Sequence, residues 1–348
     1  MKSVVKTASS LLALAVIHSV MCASVTETVA NFFPEIEGNL TKISWAHAVN
    51  DKATLNKTLE GSAMMLEADV VLGKVTGQDG SVQQPIMAHP PSNESDLSLE
   101  NFLNTVIERK GIKKGVKLDF KSVEAFNASK PILDKVRGNL TFPVFLNADI
   151  LEGPTNATAT PVDPKFFVGQ AKAYPKYTLS VGWTTSYANS ENNTENIDRY
   201  TEQQIQRMIN TLTEQQVTQS VTYPVRAGLA ANDINVMKTL MENSTASGIK
   251  NATLTVWSGE GDKVNAEKLS QMIREIGVEK VYVDVPKELL DKLRLSAASS
   301  PERPATLVLA ATLFLAVSAL HHVINHRVES TRRIDGNPPR DIISTLRE

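Results

Sequence analysis

The stretch Gly115-Val116-Lys117-Leu118-Asp119-Phe120-Lys121 decides the fold, because its side chains alternate with a period of two. That period is typical of a β-strand, here with apolar residues on one face and charged residues on the other. Strand and helix patterns alternate around this stretch, which predicts a sheet covered on both faces. Charges in a covered space are costly unless they pair or bind something. The sequence therefore predicts a buried strand that carries part of a functional site.

Further strand patterns recur along the chain, separated by helical patterns. The eight predicted strands are 42–47, 64–70, 115–121, 143–150, 177–183, 221–226, 253–257 and 280–285, with a short extra strand at 85–89. Eight strands with helices between them, in roughly 260 residues, are what a closed α/β barrel of the (β/α)8 TIM type requires. A doubly wound open sheet, which needs no closure between the first and eighth strands, is the alternative. The barrel domain is predicted at 30–292.

The N terminus has two lysines, a short apolar run and small residues near Cys22. This order predicts a signal peptide at 1–23, because the apolar run is too short for a membrane span. An uncleaved anchor is the alternative.

Residues 305–323 are almost uninterruptedly apolar and follow a linker at 293–304. Their length is close to the ~20 residues that cross a bilayer as a transmembrane helix. Basic residues follow the span, which places the tail at 324–348 in the cytoplasm. The sequence therefore predicts a single-pass type I protein of the plasma membrane. A re-entrant or cleaved segment, and shedding of the ectodomain at the linker, stay open.

The extracellular side is also indicated by nine N-glycosylation sequons, at asparagines 39, 56, 93, 127, 139, 156, 192, 243 and 251. The only cysteine, Cys22, lies in the predicted signal peptide. The mature ectodomain therefore has no disulfides, and cysteine nucleophiles and thiolate metal sites are excluded. The formal net charge of -2 gives no argument for nucleic acid as a partner.

Several predicted strands are apolar early and polar late. Active sites of such barrels lie at the carboxyl ends of the strands, so these late side chains should converge. They are His47, Asn50, Glu67, Asp69, Lys117, Asp119, Lys121, Asn147, Asp149, Arg226 and Trp257.

The residue types in this set favour phosphoryl chemistry. Glu67, Asp69 and Asp119 can share one hard divalent cation, Mg²⁺ or Ca²⁺, which prefers oxygen ligands and would offset charge on a phosphate. Lys117 and Lys121 can neutralise the remaining phosphate charge. Two histidines suit general base and acid roles, because their pKa lies near the operating pH. These are His47 and His89, both followed by turn-prone residues.

Each residue taken singly has a structural explanation. The two histidines are then hydrogen-bonded structural residues, and a Glu-x-Asp pair is a solvated strand edge. Trp257 is rim packing, Arg226 a salt-bridge partner, and Asn147 and Asp149 cap the segment after the fourth strand. The joint pattern, rather than any single member, favours a substrate-binding site.

Five motifs carry a resemblance to a known family. They are Ser44-Trp45-Ala46-His47-Ala48-Val49-Asn50, Leu66-Glu67-Ala68-Asp69-Val70, Ala88-His89-Pro90-Pro91, Lys117-Leu118-Asp119-Phe120-Lys121 and Leu146-Asn147-Ala148-Asp149-Ile150. The chain resembles the menorin family over about residues 39–286. Menorins are similar to phospholipase C-like phosphodiesterases, including glycerophosphodiester phosphodiesterases, which are TIM barrels. The resemblance implies His47 and His89 as the acid/base pair, Glu67, Asp69 and Asp119 as metal ligands, and Lys121 near the phosphate.

The sequence departs from the phosphodiesterases at one position. They carry His-Arg-Gly where this chain has His47-Ala48-Val49, so the phosphate-binding arginine is missing, with Lys117 or Arg226 as its candidate replacement. The resemblance also implies a non-enzymatic role, since menorins act as epidermal cues that join adhesion molecules to pattern sensory dendrites. Two functions are therefore predicted, and the fold cannot decide between them. One is a metal-dependent phosphodiesterase acting on an extracellular phosphodiester or lipid head group, and the other is a non-catalytic ligand or co-receptor of cell-surface adhesion proteins.

Overall fold

A computed structural model describes residues 29–77, 82–155, 157–186 and 199–296. Its strands, in chain order, are β1 (Trp45–Ala46), β2 (Met65–Val75), β3 (Gln84–Met87), β4 (Glu94–Ser95), β5 (Gly115–Phe120), β6 (Val144–Glu152), β7 (Thr178–Thr184), β8 (Val221–Arg226), β9 (Thr253–Trp257) and β10 (Val281–Asp284). Its helices are α1 (Val29–Phe32), α2 (Lys52–Glu60), α3 (Leu99–Glu108), α4 (Val123–Val136), α5 (Pro164–Ala171), α6 (Glu202–Glu214), α7 (Ala227–Ala230), α8 (Ile234–Ala246), α9 (Ala266–Ile276) and α10 (Lys287–Leu290).

Eight of the described strands form a parallel sheet in the order β1-β2-β5-β6-β7-β8-β9-β10. The edges of this sheet, β1 and β10, meet through side chains. The ring centroids of Trp45 and Tyr282 lie 6.0 Å apart, and His47 and Asp284 are in hydrogen-bond contact at 2.7 Å. The sheet is thus a near-closed parallel barrel, as the TIM-barrel prediction requires and an open sheet does not.

The outer face of the barrel wall is apolar and packs on the helices. Phe120 of β5 lies 4.8 Å from Phe126 of α4 between ring centroids, and Phe126 lies 4.7 Å from Phe167 of α5. Helix α4 begins at this contact because the side chain of Ser122 accepts a hydrogen bond from the backbone N–H of Ala125. The apolar half of the alternating stretch therefore faces the helices, and its charged half faces the barrel interior.

The floor of the barrel is closed by the segment that precedes β1. Val29, Phe33 and Ile36 of this segment form one buried apolar cluster with interior residues such as Phe145 and Tyr282. The interior is therefore apolar at the amino ends of the strands. Polar side chains are left to gather at the carboxyl ends.

The predicted element bounds needed correction at the first two strands. Residues Leu40–Lys42 form a 3₁₀ helix, capped by the side chain of Asn39, so β1 is shorter than the predicted strand at 42–47. Strand β2 extends beyond residue 70 because β3 pairs antiparallel with its second half. Gly73 permits this crowding, since a Cβ there would overlap the carbonyl oxygen of Asn93.

The predicted signal peptide, membrane span and tail lie outside the described residues, as does most of the linker. Among the helices that the structure describes, none has the length and apolar character needed to span a bilayer.

Candidate functional site

The polar residues predicted at the strand ends line one cleft of 660 Å³. Asp69, Asp119, Asn147 and Ser180 are successive register partners on β2, β5, β6 and β7, which places them in one row. Glu67 and Lys117 are partners two residues earlier, on the same interior face. The sequence predicted eleven side chains at the strand ends together with His89, and all of these except Asn50 and Arg226 line the cleft: His47, Glu67, Asp69, His89, Lys117, Asp119, Lys121, Asn147, Asp149 and Trp257. The predicted convergence is therefore confirmed.

The three predicted metal ligands form a compact carboxylate cluster. Glu67, Asp69 and Asp119 each offer one oxygen within 4.8 Å of the others, with the first two residues buried and the third half-buried. A hard divalent cation needs several such oxygens in a small space. The donor set therefore fits a hard divalent cation.

One oxygen of each carboxylate is fixed by an uncharged donor. The backbone N–H of Ala48 donates to Glu67 Oε2 at 3.0 Å, and Asn50 Nδ2 donates to Asp69 Oδ2 at 2.8 Å. Asn147 Nδ2 donates to Asp119 Oδ1 at 2.6 Å, while Ser180 Oγ donates to Asn147 Oδ1 at 2.6 Å. Donors of this kind orient metal ligands in proteins. Asn147 is thus committed to positioning Asp119, and its predicted contact with substrate stays a prediction.

Lys121 is the cation that faces this cluster. Its Nζ lies 2.8 Å from Asp69 Oδ1 and 2.6 Å from Asp119 Oδ2. Burial lowers the pKa of Lys121, but the two carboxylates outweigh that effect and raise it. Burial and the charge of Glu67 raise the pKa of Asp69 against the opposing influence of Lys121. The ammonium therefore offsets part of the repulsion between the carboxylates.

His47 lies between two carboxylates at the seam of the barrel. Its Nε2 donates to Asp284 Oδ1 at 2.7 Å, and its Nδ1 lies 3.4 Å from Glu67 Oε2. Burial lowers the pKa of His47, but the bonds to Asp284 and Glu67 outweigh it and raise the pKa to about 10. Burial raises the pKa of Glu67, whereas His47 and the charge of Lys117 lower it to about 2. A pKa this high keeps the imidazole of His47 protonated at neutral pH.

His89 follows β3, a strand outside the barrel, but its side chain lines the cleft. The backbone N–H of the preceding residue, Ala88, donates a hydrogen bond to the carbonyl oxygen of Asp69, and this bond holds His89 near the site. Its Nδ1 lies 2.7 Å from the carbonyl oxygen of Pro90. A carbonyl oxygen only accepts, so Nδ1 must carry the hydrogen. The neutral ring then has its lone pair on Nε2, on an exposed side chain. This is the form that a general base requires.

The other half of the cleft holds Asp149 and Trp257. Burial, with a contribution from the charge of Asp119, raises the pKa of Asp149 to about 7. Arg226 does not line the cleft in the described part of the chain. Its guanidinium binds Asp262 at 2.7 Å and lies 5.0 Å from the Trp257 ring centroid. Arg226 is thus placed beside Trp257, and its predicted binding of phosphate stays a prediction.

Lys117 is buried, and its Nζ lies 6.0 Å from the ring centroid of Trp45, close to the barrel floor. It lines the cleft from within the interior, in the same layer as Glu67 and one layer below Asp69 and Asp119. A second positive charge is therefore available to an anion that enters deeply.

Sequence reasoning missed several residues of this cleft. Thr184, Thr185 and Pro224 line it, and Asp284 binds His47. The signal for Asp284 was its place as the last polar residue of the eighth strand, which a closed barrel sets beside the first strand. Asp284 Oδ2 is buried and has no hydrogen-bond partner among the described residues, so the bond from His47 to Oδ1 is the contact that offsets the burial of this carboxylate.

Replacing Asn147 with alanine is expected to weaken divalent-cation binding about 10- to 100-fold, because Asp119 loses the donor that orients it. Calorimetric titration of the purified protein measures this effect. Asn101→Ala, at an exposed position of α3, is the matched control and should bind as the unaltered protein does. Equal affinities of the two variants would contradict the positioning role.

The geometry defines a class of protein: a parallel barrel with an acidic cluster, two histidines and two lysines at the carboxyl ends of its strands. Residues 39–290 match the model of the menorin N-terminal domain. The human protein FAM151B is 35% identical over 246 residues, which are 70% of this chain and 82% of that protein. The chain therefore belongs to the menorin family. A crystal structure of a candidate glycerophosphoryl diester phosphodiesterase from Silicibacter pomeroyi matches with a TM-score of 0.41 and 12% identity, over 74% of this chain and 96% of that chain.

Proposed function

We propose that this menorin-family protein is a metal-dependent phosphodiesterase that acts on an extracellular phosphodiester, such as a glycerophosphodiester or a lipid head group. The observation that carries the proposal is the carboxylate cluster, whose ligand oxygens lie within 4.8 Å of one another. It shares one cleft with two histidines and two lysines. Carboxylates, acid/base groups and cations in one place are the components that phosphoryl chemistry needs.

The two histidines are suited to different roles. His89, with its lone pair on Nε2, accepts the proton of the attacking group, which is a water molecule or a neighbouring substrate hydroxyl. His47, protonated between its carboxylates, donates a proton to the leaving oxygen as the bond from phosphorus breaks. Lys117 and Lys121 hold the phosphate oxygens. A divalent cation bound at the cluster would supply further stabilisation of charge on the phosphate.

The position of Ala48 limits how the phosphate is bound. Ala48 has a positive φ of 51°, and its backbone N–H donates a hydrogen bond to Glu67 Oε2. Its methyl group provides no positive charge, so the proposal assigns that role to the two lysines. A lysine binds phosphate as a point charge rather than as a bidentate fork. We therefore expect slower turnover than in enzymes with an arginine at this place.

The test is calorimetric titration of Mg²⁺ and Ca²⁺ into the purified, chelator-stripped protein, beside an Asp119→Asn variant. Saturable binding to the unaltered protein is expected, with a loss of about 10-fold or more in the variant, because one anionic ligand is removed. A screen of phosphodiesters then follows with the ion that binds. Absence of binding for both ions, with and without inorganic phosphate, would overturn the metal-dependent mechanism.

A non-catalytic role is the second candidate, as a ligand or co-receptor of cell-surface adhesion proteins. It is favoured by the engagement of both His47 ring nitrogens with carboxylates and by the alanine at position 48. In that case the polar cluster serves only the stability of the barrel. A double variant, His47→Ala with His89→Ala, separates the two functions, since adhesion to partner cells would survive while hydrolysis is lost.

We also propose that the barrel is a glycosylated ectodomain anchored to the plasma membrane by residues 305–323. Its support is the sequence order at both ends and the position of the sequons. Among the described residues, asparagines 56, 93, 127, 139 and 251 are exposed, and asparagines 39 and 243 are half-buried. A loss of mass on treatment with an N-glycosidase tests the glycosylation.

A further inference from the structure

The two oxygens of each aspartate in the carboxylate cluster have different partners. Uncharged donors hold Asp69 Oδ2 and Asp119 Oδ1. The remaining oxygens, Asp69 Oδ1 and Asp119 Oδ2, are the two that Lys121 Nζ contacts at 2.8 and 2.6 Å. The oxygens of Asp69 and Asp119 that the uncharged donors leave for a cation are therefore the ones that the ammonium contacts.

We propose that Lys121 competes with the divalent cation for these two oxygens, and that a phosphate group opens the cation site by drawing the ammonium away. This inference rests on the proposed function, because it takes the cluster as a cation site and a phosphate as the ligand. It adds a coupling between the two ligands that neither the cluster nor the lysine provides alone.

Charge repulsion prevents the divalent cation and the Lys121 ammonium from binding Asp69 Oδ1 and Asp119 Oδ2 at the same time. A divalent ion held by Asp69 and Asp119 would share ligand oxygens with the Lys121 ammonium, and like charges held so close together repel strongly. The site is also partly buried, so solvent screens this repulsion poorly. One cation must leave before the other binds tightly.

Lys121 is able to move without disturbing the barrel. It follows the last residue of β5, and its backbone N–H stays bonded to the carbonyl oxygen of Val70 at 3.1 Å. Its side chain is 24% exposed and lines the cleft. A flexible stem of four carbons lets the ammonium exchange carboxylate oxygens for phosphate oxygens. A phosphate supplies the negative charge that compensates the ammonium for the loss of its two carboxylates.

Coupling of this kind is reciprocal. If phosphate strengthens cation binding by some factor, the cation strengthens phosphate binding by the same factor. The protein would therefore hold its cation weakly when no phosphodiester is present, and the complete site would assemble only around the ligand.

The experiment is calorimetric titration of Mg²⁺ into the purified full-length protein at pH 8, with and without inorganic phosphate. Lys121→Met removes the charge and keeps the length of the side chain. We expect this variant to bind Mg²⁺ at least about fivefold more tightly than the unaltered protein when phosphate is absent, a factor within the usual range of coupling between sites. Phosphate should strengthen Mg²⁺ binding more in the unaltered protein than in the variant. Lys130→Met, whose lysine bonds Gln170 between helices α4 and α5, is the matched control and should behave as the unaltered protein.

A second variant guards against a loss of folding. Lys121→Gln retains a hydrogen-bond donor between the carboxylates without the charge, and it should change the Mg²⁺ affinity in the same direction. Unchanged or weaker Mg²⁺ binding in both variants, with binding by the unaltered protein intact, would overturn the competition and leave the proposed function standing. Absence of Mg²⁺ binding in all proteins, with and without phosphate, would overturn both.

Discussion

Replacing His89 with alanine is expected to lower the rate of phosphodiester hydrolysis by about 10²- to 10⁴-fold, the usual contribution of a general base or acid. The reason lies in its hydrogen bond. Nδ1 donates to the carbonyl oxygen of Pro90, so Nε2 has the free lone pair. No other imidazole in the described residues is in this state, since His47 is engaged by carboxylates on both nitrogens. Steady-state hydrolysis of the phosphodiester identified by the substrate screen measures the loss.

The same variant should keep its fold and its cation. The His89 side chain is exposed and is not a member of the carboxylate cluster, so the thermal unfolding midpoint and the Mg²⁺ affinity should match those of the unaltered protein. A decrease in hydrolysis with both of these unchanged identifies a chemical role. Hydrolysis at the original rate would show that His89 is not the base, and would favour the adhesion function.

The barrel was predictable because the side chains of its strands alternate with a period of two, with one face packed on helices and the other facing the barrel interior. In β5, Leu118 and Phe120 must face the helices, so Asp119 must face the interior. The row formed by Asp69, Asp119 and Asn147 follows from the register of three neighbouring parallel strands. The sequence therefore indicated both the strands and the polar residues at their carboxyl ends, and these residues form the carboxylate cluster.

Three features were not predictable, each for a physical reason. The extension of β2 depends on pairing with β3, which is a long-range contact without a local pattern. The partner of Arg226 is Asp262, in a loop after β9, and no spacing rule indicated that pair. Asp284 joins the site only because the barrel closes, and closure is a property of the whole sheet rather than of any one strand.

Replacing Asp284 with asparagine is expected to move the alkaline limit of hydrolysis to lower pH. Burial lowers the pKa of His47, and the bonds to Asp284 and Glu67 raise it to about 10. If His47 acts as the acid, hydrolysis persists below this pKa and falls as pH rises through it. Removal of the Asp284 charge lowers the pKa of His47, because the imidazolium loses a partner.

The Asp284→Asn substitution should therefore slow hydrolysis strongly at high pH and only slightly at low pH. At pH 6 both proteins have protonated His47 and should hydrolyse substrate at similar rates. At pH 9 the variant should be slower by more than about tenfold, since each unit of pKa changes the protonated fraction up to tenfold. Rates measured from pH 5.5 to pH 10 define both limits. Asp262→Asn, which alters another buried carboxylate outside this contact, is the matched control and should keep the alkaline limit.

The pH dependence of the unfolding free energy, measured without a divalent cation, should report the His47–Asp284 contact independently of hydrolysis. The folded-state pKa of His47 is raised above its unfolded value of about 6.5, so the pair's contribution is complete below about pH 6.5 and is lost as pH rises towards 10. Asp284→Asn should flatten this part of the curve of unfolding free energy against pH. Because a structural loss alone would lower that curve at every pH, a loss of stability that is complete below about pH 6.5 and disappears as pH rises towards 10 identifies the His47–Asp284 contact as its cause.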